Sequence, residues 1–194
     1  MRSKPILFAI VSVVFLLTVA LVCGFFMPGA WKAEARATIQ APPAAIHPWL
    51  ADVERWPQWF PWTTAKDPDI RYAFPGKRSG VGAVIEWHSD RVGHGTLTIT
   101  SADPARGVAY DLVFQDSARP SRGEIVLVPD GAGTAVTWSD GGELGANPVA
   151  RLFRAPIERM LSQEFTVSLA RLKSLVESPP AALPEGARAE AGND

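Results

Sequence analysis

The sequence predicts an α+β domain, a seven-stranded curved antiparallel sheet wrapped around one long C-terminal helix, behind a separate N-terminal transmembrane helix. Three observations carry this. Residues 6–27 hold 22 positions without a charge, residues 70–139 break into short alternating runs between turn residues, and residues 156–177 place apolar side chains three and four apart. The first pattern is a membrane span, the second a run of short strands, and the third an amphipathic helix.

The apolar segment comes first. At about 1.5 Å per residue, 22 helical residues reach roughly 33 Å, enough for a hydrocarbon core of about 30 Å. Arg2 and Lys4 precede it, Pro5 opens it, and Trp31 with Lys32 follows as an interfacial pair. A secretory signal normally has an apolar run of only about 7–15 residues. An uncleaved signal anchor over residues 1–30 is therefore expected, although Ala33, Ala35 and Ala37 also offer small residues for cleavage. The single cysteine, Cys23, follows Val22, which is too bulky for lipoprotein processing, and no intrachain disulfide is possible. Arg2, Lys4 and the terminal amine favour a cytoplasmic N-terminus. Long domains translocate largely regardless of charge, so the domain is expected outside the cytoplasm, in the periplasm if the source is bacterial. The rest of the chain carries every charge, in the balance of an ordinary globular domain. A polytopic membrane protein, a disordered chain and a disulfide scaffold are excluded. With 19 basic against 20 acidic residues, no field gathers nucleic acid.

Residues 31–40 alternate strictly, with Trp31, Ala33, Ala35, Ala37 and Ile39 on one face, as a half-buried strand does. Pro42 and Pro43 end that strand and can start a helix. Two short helical pieces are expected around 44–53 and 54–59, broken by Pro57 and closed by Pro61. Strands follow near 70–74, 82–88, 95–101, 108–114, 124–128 and 134–139, separated by turn pairs such as Pro75-Gly76, Asp103-Pro104 and Asp130-Gly131. Such close spacing implies an antiparallel meander. Ile157, Met160, Leu161, Phe165, Leu169, Leu172 and Val176 form the stripe of the long helix, which Pro179-Pro180 ends. Residues 31–178 thus form one domain, and residues 179–194, without apolar periodicity, read as a disordered tail.

Strand parity sets the faces. Pairing 82–88 with 95–101 so that apolar faces align puts Ile85 opposite Leu97, Trp87 opposite Gly95, Glu86 opposite Thr96 and His88 across from His94. Ile99, Tyr110, Leu112, Phe114, Val136 and Trp138 join the inner face. For 124–128 the pattern leaves Ile125 with Leu127 and Val126 with Val128 as rival inner sets.

The order of these elements, with "IQAPPAAIHPWLADVERWPQWFPW", "SGVGAVIEWHSDRVGHGTLTIT", "GAGTAVTWSD" and "QEFTVSLARLKSLVE", resembles the START/polyketide-cyclase (SRPBCC) superfamily and its helix-grip fold over about residues 31–178. The resemblance implies a cavity between sheet and closing helix. Members of that superfamily bind lipids, sterols and polyketides, and some cyclise or hydrolyse.

Candidate ligand contacts are Trp59, Ile85, Trp87, Leu97, Ile99, Tyr110, Leu112, Phe114, Val136, Trp138, Met160, Leu161 and Phe165, with Tyr110, Trp87 and Trp138 as polar handles. Trp56 and Trp59 either rim the cavity mouth or plug the sheet end, while Trp62 reads as surface. Glu164, beside the Leu161–Phe165 stripe, is the candidate acid, against a helix-edge salt bridge. Glu86 and Asp111 fall on the outer face. His88 and His94 are a candidate metal pair, against a solvated polar face; zinc wants three or four ligands. There is no G-x-S-x-G, P-loop or dinucleotide fingerprint, and no cofactor is expected. The expected function is a membrane-anchored binding domain for a small hydrophobic ligand, lipid or isoprenoid-like, beside the bilayer. The alternatives are a cyclase/dehydratase or hydrolytic enzyme using the same cavity, and a ligand-free interaction domain. Nothing in the sequence specifies an oligomeric state.

Overall fold

The structure, a computed structural model, describes residues 3–115 and 120–178. The expected tail at 179–194 lies outside the described residues. Helix α1 (Ser3–Phe26) leads, and its stretch Phe8–Phe26 is long and apolar enough to cross a membrane. After residues 27–29 comes β1 (Ala30–Ile39), then α2 (Pro43–Ala51) and a short 3-10 helix, Val53–Gln58. Pro43 opens α2 where its missing N–H costs nothing, and the Asp52 carboxylate caps the 3-10 helix by accepting the Glu54 N–H.

Six strands follow: β2 (Arg71–Ala73), β3 (Val84–His88), β4 (Gly95–Asp103), β5 (Gly107–Phe114), β6 (Ser121–Asp130) and β7 (Gly133–Glu143). Every pairing is antiparallel, and the order across the sheet is β1-β7-β6-β5-β4-β3-β2. The β3–β4 register is the expected one, with Ile85 opposite Leu97 and Trp87 opposite Gly95. Ile125 and Leu127 turn inward, which settles the face of β6. A bulge between Ile99 and Ser101 bends β4.

Three features depart from the sequence reading, the first being that β6, expected over 124–128, runs from Ser121 to Asp130. A five-residue helix, α3 (Pro148–Leu152), precedes α4 (Arg154–Glu177), and β7 continues past residue 139 to Glu143. Helix α3 is too short for a periodic signal, but Asn147 caps it by accepting from the Val149 and Ala150 N–H groups.

Helix α4 runs along the edge strand β1 and bonds several of its free backbone groups. The Lys32 N–H donates to Glu158, Glu34 N–H to Ser162 and Gln40 N–H to Glu177, while Lys173 Nζ donates to the Thr38 carbonyl. An open sheet edge is thereby covered. Phe165, Leu169 and Leu172 of α4 are buried in the core with the inward side chains of the sheet.

Candidate functional site

The concave face of the sheet is divided into a filled half and an open half. Under the short helices, aromatic rings fill the space. Trp56 lies 4.9 Å from Trp59 and 5.7 Å from Tyr110, and Trp59 lies 5.5 Å from Trp138. Trp56 and Trp59 are fully buried and donate their indole N–H groups to the Leu50 and Trp49 carbonyls. They plug the sheet end rather than rim an opening.

At the other end a cavity of about 590 Å³ remains, a size usual for small-molecule sites. Of the expected contacts, Leu112, Phe114, Met160, Leu161 and Phe165 line it. Ile85, Trp87, Leu97, Ile99, Tyr110, Val136 and Trp138, with Trp59, are buried behind that wall in the core. Trp62, read from the sequence as surface, lines the cavity and stacks on Trp87 at 4.8 Å. The chain turns back on itself there, since the Tyr72 hydroxyl donates to the Trp62 carbonyl. Parity rules, which apply only inside strands, cannot place a side chain on such a loop. Trp31, Phe60, Leu144 and Ile157 complete the apolar wall.

Asp140 is the residue that sequence reasoning missed. It lines the cavity yet is only 3% exposed. Along β7, Val136, Trp138 and Asp140 alternate inward, so extending the strand beyond residue 139 would have found it. Its Oδ2 accepts from the Tyr110 hydroxyl at 2.9 Å, and that oxygen accepts the Trp138 indole N–H at 2.8 Å. Burial pushes the Asp140 carboxyl up to about 6, against the Tyr110 hydroxyl, the nearby Ser121 hydroxyl and the Gly141 N–H, which favour the charged form. Burial, then the Asp140 charge, pushes the Tyr110 phenol well above its usual value. Asp140 Oδ1 is buried and has no hydrogen-bond partner.

The other candidates lie elsewhere. Glu164 pairs with Lys66 at the helix edge and does not line the cavity. His88 and His94 face each other with their Nδ1 atoms 2.9 Å apart. Among the described residues, no group of three His, Cys, Asp or Glu side chains is placed to hold a metal. A more open depression of about 610 Å³ is lined by Lys32, Glu124 and the Arg122–Asp111 ion pair, and it also reaches Tyr110, Gly123 and Asp140.

The cavity sits where α1 joins the domain. Gly29 accepts from the Leu144 N–H, and Arg151 of α3 donates to the carbonyls of Phe25, Met27 and Gly145. Gly24 of α1 lies against the Pro148 backbone, where a Cβ would collide. Phe153, 58% exposed, stands one turn before the cavity residue Ile157, and Met160 at the cavity is 56% exposed.

A family model described as polyketide cyclase / dehydrase and lipid transport matches residues 30–177. No curated protein matches the sequence. Among solved structures, CV1439 from Chromobacterium violaceum is 17% identical with a TM-score of 0.57, covering 76% of this chain and 98% of its own. Ara h 8.0201 is 17% identical with a TM-score of 0.56, over 76% of this chain and 98% of its own. The di-domain aromatase/cyclase BexL from the BE-7585A biosynthetic pathway is 22% identical with a TM-score of 0.54, over 75% of this chain and 46% of its own. These likenesses share the helix-grip fold.

Proposed function

Because the chain belongs to the polyketide cyclase / dehydrase and lipid transport family, we propose that it holds a small apolar ligand, lipid or isoprenoid-like, in the cavity beside Trp62, and exchanges it with a bilayer that α1 spans. One observation carries the reading: the cavity wall is built at the end of the sheet where α1 enters. Only residues 27–29 separate α1 from β1, and three extended residues cover about 11 Å at most. The cavity then lies at the membrane surface, with the domain outside the cytoplasm. A ligand leaving the hydrocarbon would meet Phe153 and Met160 before water. Burial supplies the affinity, about 25 cal/mol per Å² of apolar contact, with Trp31, Trp62 and Phe165 as the larger surfaces.

Arg151 supports the same reading by tying the end of α1 to α3, which fixes the domain against the span. A second reading, cyclase- or dehydratase-type acid–base chemistry, is favoured by the buried Asp140 carboxyl at the cavity wall.

Native mass spectrometry of the full chain released from lipid nanodiscs tests the proposal. The wild type should retain apolar adducts, and Met160→Trp, which fills the mouth from an exposed position, should lose most of them. Equal adducts on both proteins would contradict a cavity-bound ligand.

A further inference from the structure

The β3–β4 hairpin closes at the rim of the cavity, and His88 and His94 flank its turn. Trp87 and Gly95, the last residues paired in register, are buried on the inner face. His88 and His94, one step further along each strand, therefore lie on the outer face. Their Nδ1 atoms are 2.9 Å apart. The backbone beneath them is fixed by its own bonds. The Ser89 carbonyl accepts the Gly93 N–H, and the His94 carbonyl accepts the Gln115 N–H. The buried Ser89 hydroxyl accepts the Arg91 and Val92 N–H groups and donates to the buried Asp67 carboxylate. Such a turn does not have to close around a guest.

We propose that His88 and His94 bind one copper(II) ion through their Nδ1 atoms, with water completing its square plane. The distance selects the metal. With metal–nitrogen bonds of about 2.0–2.1 Å, neighbouring ligands stand about 2.9 Å apart in a square plane and about 3.3–3.4 Å apart in a tetrahedron. The observed 2.9 Å is the spacing that divalent copper prefers, whereas zinc takes the tetrahedron and three or more protein ligands. Copper(II) also binds imidazole most tightly of the first-row divalent ions. In the metal-free pair one Nδ1–H donates to the other Nδ1. Binding moves that proton to the same ring's Nε2, which has no partner among the described residues, and both Nδ1 lone pairs then reach the metal. The nearby charges balance, Glu86 and Asp90 against Arg71 and Arg91, so affinity comes from the imidazoles rather than from the field. Arg91 and Val92, between the two histidines, are on the cavity wall, while the histidines are not. The ion thus clips the rim of the ligand space from outside, whatever the cavity holds.

Electron paramagnetic resonance of the full chain in nanodiscs, both free of affinity tags and titrated with copper(II) sulfate at pH 7.5, tests the site. The spectrum should be axial, and spin-echo modulation should count two equatorial imidazoles. His88→Asn and His94→Asn should each lower that count and weaken copper binding about tenfold or more, and zinc sulfate should compete about tenfold less well than copper. Fewer than two imidazoles in the wild type, or unchanged copper affinity in both variants, would overturn the site. Zinc competing as well as copper would overturn the square-planar assignment. The wild-type imidazole count decides the matter even if a variant fails to fold.

Discussion

The Tyr110 hydroxyl reaches Asp140 across an intervening strand, and Gly123 makes the reach possible. Tyr110 pairs with Gly123, and Gly123 pairs with Asp140. A Cβ on Gly123 would collide with the Tyr110 ring. The missing side chain therefore leaves a slot in which the phenol lies flat over β6 and meets a carboxylate two strands away. Trp87 lies over Gly95 in the same manner.

Removing that hydroxyl should be costly. Tyr110→Phe leaves the Trp138 N–H and Asp140 Oδ2 without partners in a buried site. At about 1–3 kcal/mol for each of the two orphaned groups, the loss should be roughly 2–6 kcal/mol. Urea unfolding followed by tryptophan fluorescence measures it. A loss below about 1 kcal/mol would show that the relay does not hold the site together.

Asp140 also makes stability depend on pH. Its carboxyl is raised from 3.8 to about 6, so above pH 6 the folded protein carries the cost of a buried charge. As pH falls from about 6 towards 3.8, the folded state takes up a proton before the unfolded chain does, and stability rises. His47, lowered by burial, acts in the opposite sense below the ordinary imidazole value of 6.5, because there the unfolded chain protonates first. Comparison with Asp140→Asn cancels His47. Between pH 7.5 and pH 5 the wild type should gain about 1 kcal/mol relative to the variant, read from thermal or urea unfolding. A constant difference would contradict the raised value.

Glu164 should be dispensable by contrast. Its ion pair with Lys66 is more than a third exposed on each side chain, and such pairs contribute about 0–1 kcal/mol. Glu164→Gln should leave adduct retention unchanged and stability within about 1 kcal/mol. Lost retention with folding intact would move the site to the helix edge.

Arg151 should govern how the domain stands on α1. Arg151→Met removes the donors to Phe25, Met27 and Gly145. Spin-label distances between α1 and α3 in nanodiscs should broaden, while the unfolding midpoint of the sheet domain should hardly move. An unchanged distance distribution would show that the Gly24–Pro148 packing suffices alone.

Much of this fold is legible in the sequence because its periods are long and clean. The alternation of β1 and the aligned apolar faces of β3 and β4 fix faces and register, since a one-residue slip would mix them. The stripe from Ile157 to Val176 fixes α4. The site is less legible. Inward direction does not separate a side chain that lines open space from one packed behind it, and the rings of Trp56, Trp59 and Trp138 decide that in three dimensions. Asp140 was hidden because a polar residue, followed by Gly141 and Gly142, looks like the end of a strand. Helix α4 in fact closes over β1 beside it, and β7 stays paired with β1 to Glu143.

The central claim is an apolar space between sheet and α4 that exchanges with the bilayer. A photoactivatable alkyl diazirine with a 16-carbon chain, dissolved in vesicles holding the full chain, tests it most directly. Cross-linked peptides should include residues 112–114 and 157–165 as well as α1. Cross-links confined to α1 would contradict the account.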